Sequence, residues 1–300
     1  MPHPLVYVVL ANWNRAADTV ECLESLMQQS YPNVRLLVVD NASTDGSSQV
    51  IEQCFPQVEQ VLNQKNLGFT GGYNAGMRVA LKAGADFVFV LNNDTLLEPN
   101  AIQLLVDASS PEDVGMVSPM IFYSADPDKI WSAGGTVSKL TLEITDNHGR
   151  EKTFSKITER DFLSGCAILI KRSVLEKVGL FDEDFVSYYE DSDLSLRVRQ
   201  AGYRLLLVPQ ARMWHKVSMS TGGSDSPSER YFMGRNSVLF FRKHIHGWRW
   251  VVIIIWRVLS TVKTTLRLLI KKRPKSAKAY LRGTWDGFRL RYGSPENSVA

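Results

Sequence analysis

Short apolar runs alternate with helix-like segments over the first third of the chain. Apolar runs at 5–10, 36–39 and 87–91 predict buried strands, and a helix is predicted over 70–83. Strands that alternate with helices in this way favour an α/β fold with a mostly parallel, Rossmann-like sheet. We therefore expect a ligand site beyond the carboxyl ends of the strands, where open parallel sheets bind their ligands.

The pattern changes in the middle of the chain. Residues 115–160 are rich in polar residues and glycine, and they predict irregular structure. Strands predicted over 162–170 and 203–208 then flank a helix predicted over 190–201. The Ser- and Gly-rich stretch 218–228 predicts a flexible link.

Polar side chains follow each of the first three predicted strands. They are Asn12 and Asn14 after the first strand, Asp40 after the second, and Asn92, Asn93 and Asp94 after the third. Asp40 could accept hydrogen bonds from a nucleobase or ribose, although Asp, Asn and Ser are also the usual residues of a tight turn. The oxygen atoms at 92–94 suit a hard divalent cation that bridges a diphosphate. His215 is a candidate further ligand, although a lone histidine is more often structural.

A glycine-rich segment over 66–76 contains Asn66, Gly71, Gly72 and Asn74. Its glycines permit close approach of a backbone, and the following helix start offers N–H groups to a phosphate. The alternative is a tight loop without a ligand. The segment is not G-x-G-x-x-G, and the chain has no G-x-x-x-x-G-K-[ST], so the sequence disfavours a dinucleotide dehydrogenase and a P-loop enzyme.

Acidic residues open the predicted helix at 190. One of the carboxylates of Glu190 and Asp191 could act as general base on an acceptor hydroxyl. The alternative is a well-capped amphipathic helix, because the positive end of the helix dipole favours acidic residues in the first turn.

The positive charge of the chain is concentrated in its last 70 residues. Residues 231–300 contain 15 Lys and Arg against 2 Asp and Glu, whereas residues 1–230 contain 20 against 29. A basic tail on an acidic body indicates an anionic surface as partner. The aromatic residues of the tail precede its basic run instead of interleaving with it, which favours a membrane over nucleic acid.

The pattern of the tail predicts an amphipathic helix that follows Trp248 and Trp250. Its apolar arc consists of Val258, Leu259, Val262, Leu266, Leu269 and Ile270, and its polar face of Arg257, Ser260, Lys263, Thr264, Arg267 and Lys271. The uninterrupted apolar run is far shorter than the roughly 20 residues that span a bilayer, so a position in the interface is expected. Lys271, Lys272, Arg273, Lys275 and Lys278 would then meet anionic headgroups. The alternative is a helix packed on the catalytic domain or on another subunit.

Cysteine content and the N-terminus bear on the compartment. The three cysteines are widely separated, which disfavours a disulfide framework or a zinc site and fits a reducing compartment. The N-terminus lacks a basic segment and a cleavage site, so we expect no signal peptide.

Taken in order, these segments resemble glycosyltransferase family 2, the inverting enzymes of GT-A fold. The resemblance covers about residues 5–215, and the segment 66–74 looks most like the rhamnosyltransferase branch. It rests on Asn12-Trp13-Asn14, the run from Val39 to Gly46, the segment 66–76, Asn92-Asn93-Asp94, Gly165 and Glu190-Asp191.

The resemblance implies a role for each matching residue. Asp191 would be the catalytic base and Glu190 would help to orient it or the acceptor. Asp40 would contact the nucleobase in a donor pocket whose members are Asn12, Asn14, Asp40, Asn66, Gly71, Gly72, Asn74 and Asn93. Asp94 would hold Mg²⁺ or Mn²⁺ on the donor diphosphate, with His215 and Asn92 as further ligands. Asn92 departs from the family's D-x-D pattern, and its amide oxygen brings less charge to the metal.

The resemblance also implies an organisation and a reaction. Residues 1–235 would form the GT-A domain, with a donor half at 1–110 and an acceptor half at 111–235, and 236–300 a membrane-associating or dimer-forming segment. The expected reaction transfers a sugar, L-rhamnose from dTDP-rhamnose as the best candidate, to a bacterial glycan or lipid-linked acceptor. It would take place at the cytoplasmic face of the membrane. The alternatives are a nucleotidyltransferase and a non-catalytic binding module.

Overall fold

The computed structural model describes residues 3–146, 149–150, 154–217 and 224–290. Its strands are β1 (Val6–Asn12), β2 (Val34–Asp40), β3 (Glu59–Leu62), β4 (Phe87–Asn92), β5 (Thr95–Leu97), β6 (Val114–Tyr123), β7 (Asp126–Ser132), β8 (Gly135–Val137), β9 (Ile144–Asp146), β10 (Gly149–Arg150), β11 (Thr158–Arg160), β12 (Ala167–Lys171) and β13 (Arg204–His215). Its α-helices are α1 (Ala16–Met27), α2 (Ser47–Cys54), α3 (Gly68–Lys82), α4 (Ala101–Ala108), α5 (Arg172–Val178), α6 (Glu190–Gln200), α7 (Pro227–His244), α8 (Arg249–Ile270) and α9 (Pro274–Arg289). A short 3-10 helix covers Glu183–Phe185.

One mixed sheet forms the centre of the molecule. Its strands lie in the order β10-β7-β6-β12-β4-β1-β2-β3, and β13 runs beside β6 and also pairs with β5 and β11. The contiguous strands β4, β1, β2 and β3 are parallel, whereas β12 is antiparallel to both of its neighbours. The predicted α/β architecture with a parallel sheet is therefore confirmed for the first half of the chain.

The core lies on both faces of this sheet because side chains alternate along each strand. In β1, Val6, Val8 and Leu10 pack on one face while Tyr7 and Val9 pack on the other. All five side chains are buried, which explains the near-continuous apolar run that predicted this strand.

The structure corrects the interpretation of 115–160 as irregular. This region contains β6 to β11, and nine of the ten residues of β6 are buried. Gly115, Ser118 and Pro119 interrupt the apolar pattern of β6, but its neighbours still supply the pairing. The strand predicted over 162–170 begins later, as β12, and the one predicted over 203–208 continues as far as His215.

The stretch 218–228 is only partly described. Residues 218–223 lie outside the described part of the chain, so the predicted flexible link there is not assessed, but Pro227 and Ser228 begin α7. Ser226 caps this helix by accepting a hydrogen bond from the Glu229 N–H at 3.1 Å. Helix α7 passes through residue 235 without interruption, and the division of the chain at that residue stays a prediction.

Candidate active site

Strand register brings the first polar residues together. β1 pairs with β2 in parallel so that Asn12 lies beside Asp40. The Asn12 amide donates to Asp40 Oδ1 at 2.9 Å, and the Ser43 N–H donates to Asp40 Oδ2 at 2.9 Å. Asn14 joins the same turn because its side-chain oxygen accepts from the Thr44 N–H at 2.7 Å. The two predictions for Asp40, a turn cap and a donor contact, are compatible, since each carboxylate oxygen can accept a second hydrogen bond.

Asn93 joins the same network from the end of the third predicted strand. Its amide donates to Thr19 Oγ1 at 2.8 Å and to Asn12 Oδ1 at 3.3 Å. Thr19 in turn donates to Asn12 Oδ1 at 2.9 Å. The Asn12 amide also donates to Ser43 Oγ at 3.1 Å, so the side-chain conformation of Asn12, which lies between Asp40 and Asn93, is fixed by four partners. Sequence reasoning did not single out Thr19 or Ser43, because hydroxyl residues are common in turns and at helix starts.

The glycine-rich segment forms the start of α3 and packs against the protein itself. A Cβ atom on Gly72 would lie 2.7 Å from the Asn41 amide nitrogen, and one on Gly76 would lie 2.3 Å from Val9. The Gly68 N–H donates to Asn66 Oδ1 at 2.8 Å, and the Thr70 N–H donates to the Val186 carbonyl at 3.0 Å. These two N–H groups at the helix start are therefore engaged within the chain.

Asn74 lies on the buried face of α3 and holds the segment that leads to the acidic helix. Its amide donates to the Phe181 carbonyl and to Glu183 Oε1, both at 2.9 Å, and its oxygen accepts from the Phe181 N–H at 3.1 Å. Gly71 is close to Leu67, with 2.6 Å between an added Cβ and the Leu67 Cβ. Contact of Gly71, Gly72 and Asn74 with a donor stays a prediction, and their visible contacts position α3.

Asp94 and His215 form a buried pair. Their Oδ1 and Nε2 atoms are 3.1 Å apart, because the antiparallel pairing of β5 with β13 brings the two segments together. Burial lowers the pKa of His215, but the neighbouring Cys166 thiol and the Asp94 carboxylate outweigh it and raise that pKa to about 10. The ring of Trp131 packs edge-on against the imidazole with centroids 4.6 Å apart. The pair is thus buried and held by the strand pairing and by the Trp131 ring.

The geometry of this pair fits a divalent cation. Two neighbouring ligands of an octahedral Mg²⁺ at about 2.1 Å lie about 3 Å apart, and this matches the Asp94–His215 separation. Within the described ranges, no group of three or more His, Cys, Asp and Glu residues could hold a metal ion. The carboxylate and imidazole would therefore hold a metal only together with ligands from a bound molecule. Asn92 lies nearby in sequence, and its Oδ1 accepts weakly from the Tyr73 hydroxyl at 3.3 Å.

Glu190 and Asp191 form the first turn of α6. Asp191 Oδ2 accepts from the Gly165 N–H at 3.0 Å, and Oδ1 accepts from the Ser192 N–H at 2.7 Å. Burial raises the pKa of Asp191, and these hydrogen bonds oppose the rise. Burial and the charge of Asp191 raise the pKa of Glu190 well above its usual range. Of the two, Asp191 is therefore the carboxylate that ionises first.

The loop before β12 connects these carboxylates to the Asp94–His215 pair. Gly165 contacts Asp191, and the next residue, Cys166, is close enough to Asp94, Asp191 and His215 for their charges to act on its thiol. Burial raises the pKa of the Cys166 thiol, and the neighbouring His215 opposes the rise. The structure thus brings together residues that are far apart in the sequence.

A strained loop precedes Glu190. Val186, Tyr188 and Tyr189 all have positive φ, at 41°, 69° and 72°. Residues other than glycine adopt this backbone conformation only at a cost in free energy. The buried amide of Asn236 on α7 donates to the carbonyls of Phe185, Ser187 and Tyr188 at 2.7–2.9 Å. Arg235 Nη1 donates to the Asp184 carbonyl at 2.8 Å. These contacts hold the loop in its strained shape.

Sequence reasoning did not identify Arg235 and Asn236 as site residues. The available signal was a polar pair followed, after Ser237, by the apolar run Val238–Phe241 of α7, which indicates buried polar side chains with fixed partners.

Asp193, one turn further along α6, is fully buried with three basic partners. Its carboxylate lies 2.7 Å from Arg197 Nε, 2.8 Å from Lys243 Nζ and 2.7 Å from His244 Nε2. Burial alone would raise the pKa of Asp193, but these partners lower it to about 2. This network attaches α6 to the end of α7 and fixes the helix that carries Glu190 and Asp191.

The family is decided by comparison with known proteins. A model of the family described as "Glycosyltransferase like family 2" matches residues 2–234. The chain belongs to this family. It is therefore a glycosyltransferase, and the resemblance of the ordered motifs is confirmed. Membership of this family decides against the two alternative hypotheses, a nucleotidyltransferase and a non-catalytic binding module.

Two curated relatives lie in the rhamnosyltransferase branch. The chain is 27% identical over 288 residues to an N-acetylglucosaminyl-diphospho-decaprenol L-rhamnosyltransferase of Mycobacterium tuberculosis, covering 88% of this chain and 92% of the relative. It is 24% identical over 297 residues to the dTDP-rhamnosyl transferase RfbF of Shigella flexneri, covering 95% of each.

Solved structures agree on the fold. GalNAc-T7 with UDP, GalNAc and Mn²⁺ superposes with a TM-score of 0.60 at 17% identity, over 80% of this chain and 48% of that one. The Pyrobaculum calidifontis mannosyltransferase with GDP-Man and Mn²⁺ superposes with a TM-score of 0.56 at 19% identity, over 99% of this chain and 78% of that one. This glycosyltransferase therefore has the predicted GT-A fold.

Proposed function

We propose that this glycosyltransferase moves L-rhamnose from dTDP-rhamnose, with inversion, to a hydroxyl of a lipid-linked glycan precursor. The donor and the lipid-linked acceptor are suggested by the activities that name the relatives from Shigella flexneri and Mycobacterium tuberculosis. The observation that carries the proposal is the loop Gly165–Cys166, whose consecutive residues lie against Asp191 on one side and against the Asp94–His215 pair on the other. A base for the acceptor and a site for the donor diphosphate are thus neighbours.

The chemistry follows from the state of the two carboxylates. Asp191 takes the proton of the acceptor hydroxyl while that oxygen forms its bond to the anomeric carbon. The bond from the anomeric carbon to the diphosphate breaks, and the nucleoside diphosphate leaves with the electron pair. Glu190, which stays protonated more readily, keeps a second negative charge away from the incoming hydroxyl. The fixed orientation of Asp191 by Gly165 and Ser192 aligns the base before the acceptor arrives.

The donor site of this proposal has a nucleoside part and a diphosphate part. Asp40, held by Asn12 and Ser43, would accept hydrogen bonds from the nucleoside. Asp94 and His215 would hold Mg²⁺ or Mn²⁺, with the diphosphate oxygens as the remaining ligands. Such a metal supplies charge that stabilises the leaving diphosphate. Asn92 would add a neutral oxygen at most.

A transfer assay tests this proposal. Purified enzyme is given dTDP-rhamnose, a UDP-sugar or GDP-mannose with a short-chain N-acetylglucosaminyl diphospholipid, and release of nucleoside diphosphate is followed with and without Mn²⁺. We expect turnover with dTDP-rhamnose, loss of turnover in Asp191→Asn, and retained dTDP binding in that variant. Asp107→Asn on α4, outside the site, is the matched control. Full activity of Asp191→Asn would remove this residue from the mechanism, and turnover with another nucleotide sugar alone would replace the donor.

We further propose that helices α8 and α9 rest on an anionic membrane. The predicted apolar arc of α8 is exposed, with Val258, Leu259 and Val262 between 52% and 60% accessible. Trp248, Trp285 and Phe288 are also exposed. Lys272, Lys275 and Lys278 are also exposed, whereas Arg267 and Lys271 contact Asp225 at 2.9 and 3.2 Å. No helix in the described ranges is long and apolar enough to cross a bilayer.

Vesicle flotation separates this membrane proposal from a dimer. We expect the protein to float with phosphatidylglycerol vesicles and the double variant Leu259→Glu with Val262→Glu to remain at the bottom of the gradient. Leu62→Glu, which changes an exposed leucine of β3, is the control. Flotation of the double variant at the wild-type level would refute the proposal, and a concentration-dependent doubling of mass that the same changes abolish would assign the face to a homodimer.

A further inference from the structure

A cavity of about 410 Å³ lies between the catalytic segment and the C-terminal helices. Glu190 and Asp191 line it together with residues of the β8–β9 turn and of α7, α8 and α9. Among the basic residues that line it are Arg230 and Arg257. An acceptor whose hydroxyl reaches Asp191 would occupy this space.

Arg257 is the unusual residue of this cavity. It is only 7% exposed, and its guanidinium takes part in no ion pair among the described residues. Its visible contacts are a long hydrogen bond from Nη2 to the Tyr280 hydroxyl at 3.4 Å and the ring of Phe241 with 5.7 Å between guanidinium carbon and ring centroid. Its Nε–H has no hydrogen-bond partner in the described part of the chain. A buried cation without an anion is costly, so its presence points to an anionic ligand.

Arg230 differs from Arg257 in this respect. Its guanidinium contacts the carboxylates of Glu229 and Asp225, the latter with 3.4 Å between Nε and Oδ1. Its charge is therefore compensated within the protein. Arg257 is therefore the basic residue of this cavity without an ion-pair partner among the described residues, and the acidic residues that line the same cavity are Glu143, Glu190 and Asp191.

The face of α8 that turns toward the protein carries polar residues between the buried Ile253 and Leu268. Ser260 and Thr264 line the cavity beside Arg257, and the hydroxyls of Thr261 and Thr265 are buried without a hydrogen-bond partner among the described residues. Buried polar groups are normally satisfied, so these hydroxyls leave room for water or for a polar ligand. The opposite face of α8 is the exposed apolar arc. One helix thus separates a polar cavity from an apolar outer surface.

We propose that this cavity binds the diphosphate of a lipid-linked acceptor, with Arg257 as its anion-binding residue and the hydroxyls of Ser260, Thr264 and Tyr280 as further donors. The lipid chain would leave the cavity past α8 into the bilayer, while the sugar hydroxyl lies toward Asp191. This inference rests on the proposed function for the identity of the acceptor. The proximity of a diphosphate site to the catalytic carboxylates rests on the cavity alone.

Binding of a probe tests the cavity without requiring transfer. Farnesyl diphosphate and farnesol are titrated calorimetrically into the full chain in EDTA, so that no divalent cation holds a diphosphate at Asp94 and His215. We expect farnesyl diphosphate to bind more tightly than farnesol. Loss of one charge-assisted hydrogen-bonding partner in Arg257→Gln should weaken diphosphate binding about 10- to 100-fold, and Arg257→Lys should restore part of the affinity. Lys263→Gln removes one charge from the exposed side of the same helix and should leave binding unchanged.

A thermal measurement separates a ligand-binding arginine from a structural one. Arg257→Met fills similar space without the charge, and we expect its melting temperature in the absence of ligand to equal or exceed that of the wild type. A clear fall in the melting temperature of Arg257→Met, together with a loss of farnesol binding as large as the loss of farnesyl diphosphate binding, would mean that Arg257 only supports the fold. That result would overturn the inference.

The remaining outcomes are also decisive. Equal affinity of Arg257→Gln and wild type for farnesyl diphosphate would overturn the inference. If the same change weakens binding to phosphatidylglycerol vesicles as much as binding to farnesyl diphosphate, the anion is a bilayer headgroup and the acceptor site is refuted. Arg257-dependent binding of farnesyl diphosphate without any transfer from dTDP-rhamnose would leave the cavity assigned and refute the proposed function.

Discussion

Asn236 offers the sharpest test of how this fold positions its catalytic base. The Asn236→Ala substitution leaves the carbonyls of Phe185, Ser187 and Tyr188 without the buried amide that contacts them at 2.7–2.9 Å. The amide has two N–H groups and therefore makes two full hydrogen bonds shared among these carbonyls. At about 1 kcal/mol for each lost net hydrogen bond, we expect a loss of about 2 kcal/mol in the free energy of unfolding. The positive φ angles of Val186 and Tyr188 store strain that favours rearrangement once the amide is gone.

The expected functional consequence is a displaced Asp191. A misplacement of about 1 Å costs about 100-fold in rate, so kcat should fall by that order while the KM for the nucleotide sugar stays close to the wild-type value. Stability is measured by urea unfolding and kcat by release of nucleoside diphosphate. Asn33→Ala removes an amide that donates to the His3 carbonyl at 2.7 Å at an exposed position, and serves as the control. If Asn236→Ala loses stability but keeps wild-type kcat, the loop holds its shape without this residue, and Asn236 does not position Asp191.

Three further outcomes follow from the site. The pKa of Asp193 is about 2 in the folded protein, below its unfolded value, so the stability that its charge contributes is present above about pH 4 and is lost as the pH falls toward 2. The difference in free energy of unfolding between wild type and Asp193→Asn, measured by urea unfolding, should therefore narrow by about 1 kcal/mol between pH 6 and pH 3. A constant difference would contradict this. His215→Gln should abolish the Mn²⁺-dependent part of the thermal stabilisation by dTDP but keep the metal-independent part, whereas an unchanged Mn²⁺ effect would place the metal elsewhere. Gly165→Ala, whose new Cβ would lie 3.2 Å from the Asp191 Cβ, should lower kcat about tenfold through a displaced base, and wild-type turnover would show that the base tolerates the shift.

The sequence alone determined three of the four parallel strands, β1, β2 and β4, and the residues at their ends, but not the short strand β3. The apolar runs at 5–10 and 87–91 reflect burial on both faces of the sheet, a property that each strand carries in its own residues. The position of Asp40 and Asp94 directly after their strands is equally local. The region 115–160 escaped prediction because β6 is stabilised by pairing with β12 and β13, and its own pattern is broken by glycine, serine and proline.

The tertiary structure decided which of these residues meet. His215 faces Asp94 because β13 pairs with β5, a long-range pairing that no local pattern encodes. Asn236 and Arg257 lie on helices that the sequence placed outside the catalytic half, yet one supports the loop before Glu190 and the other lines the cavity beside Asp191. Periodicity gives α8 an apolar and a polar face, but only packing against the cavity turns Arg257, Ser260 and Thr264 inward while Lys263 stays exposed. Local chemistry fixes what a segment can contact, and the packing of distant segments fixes what it does contact.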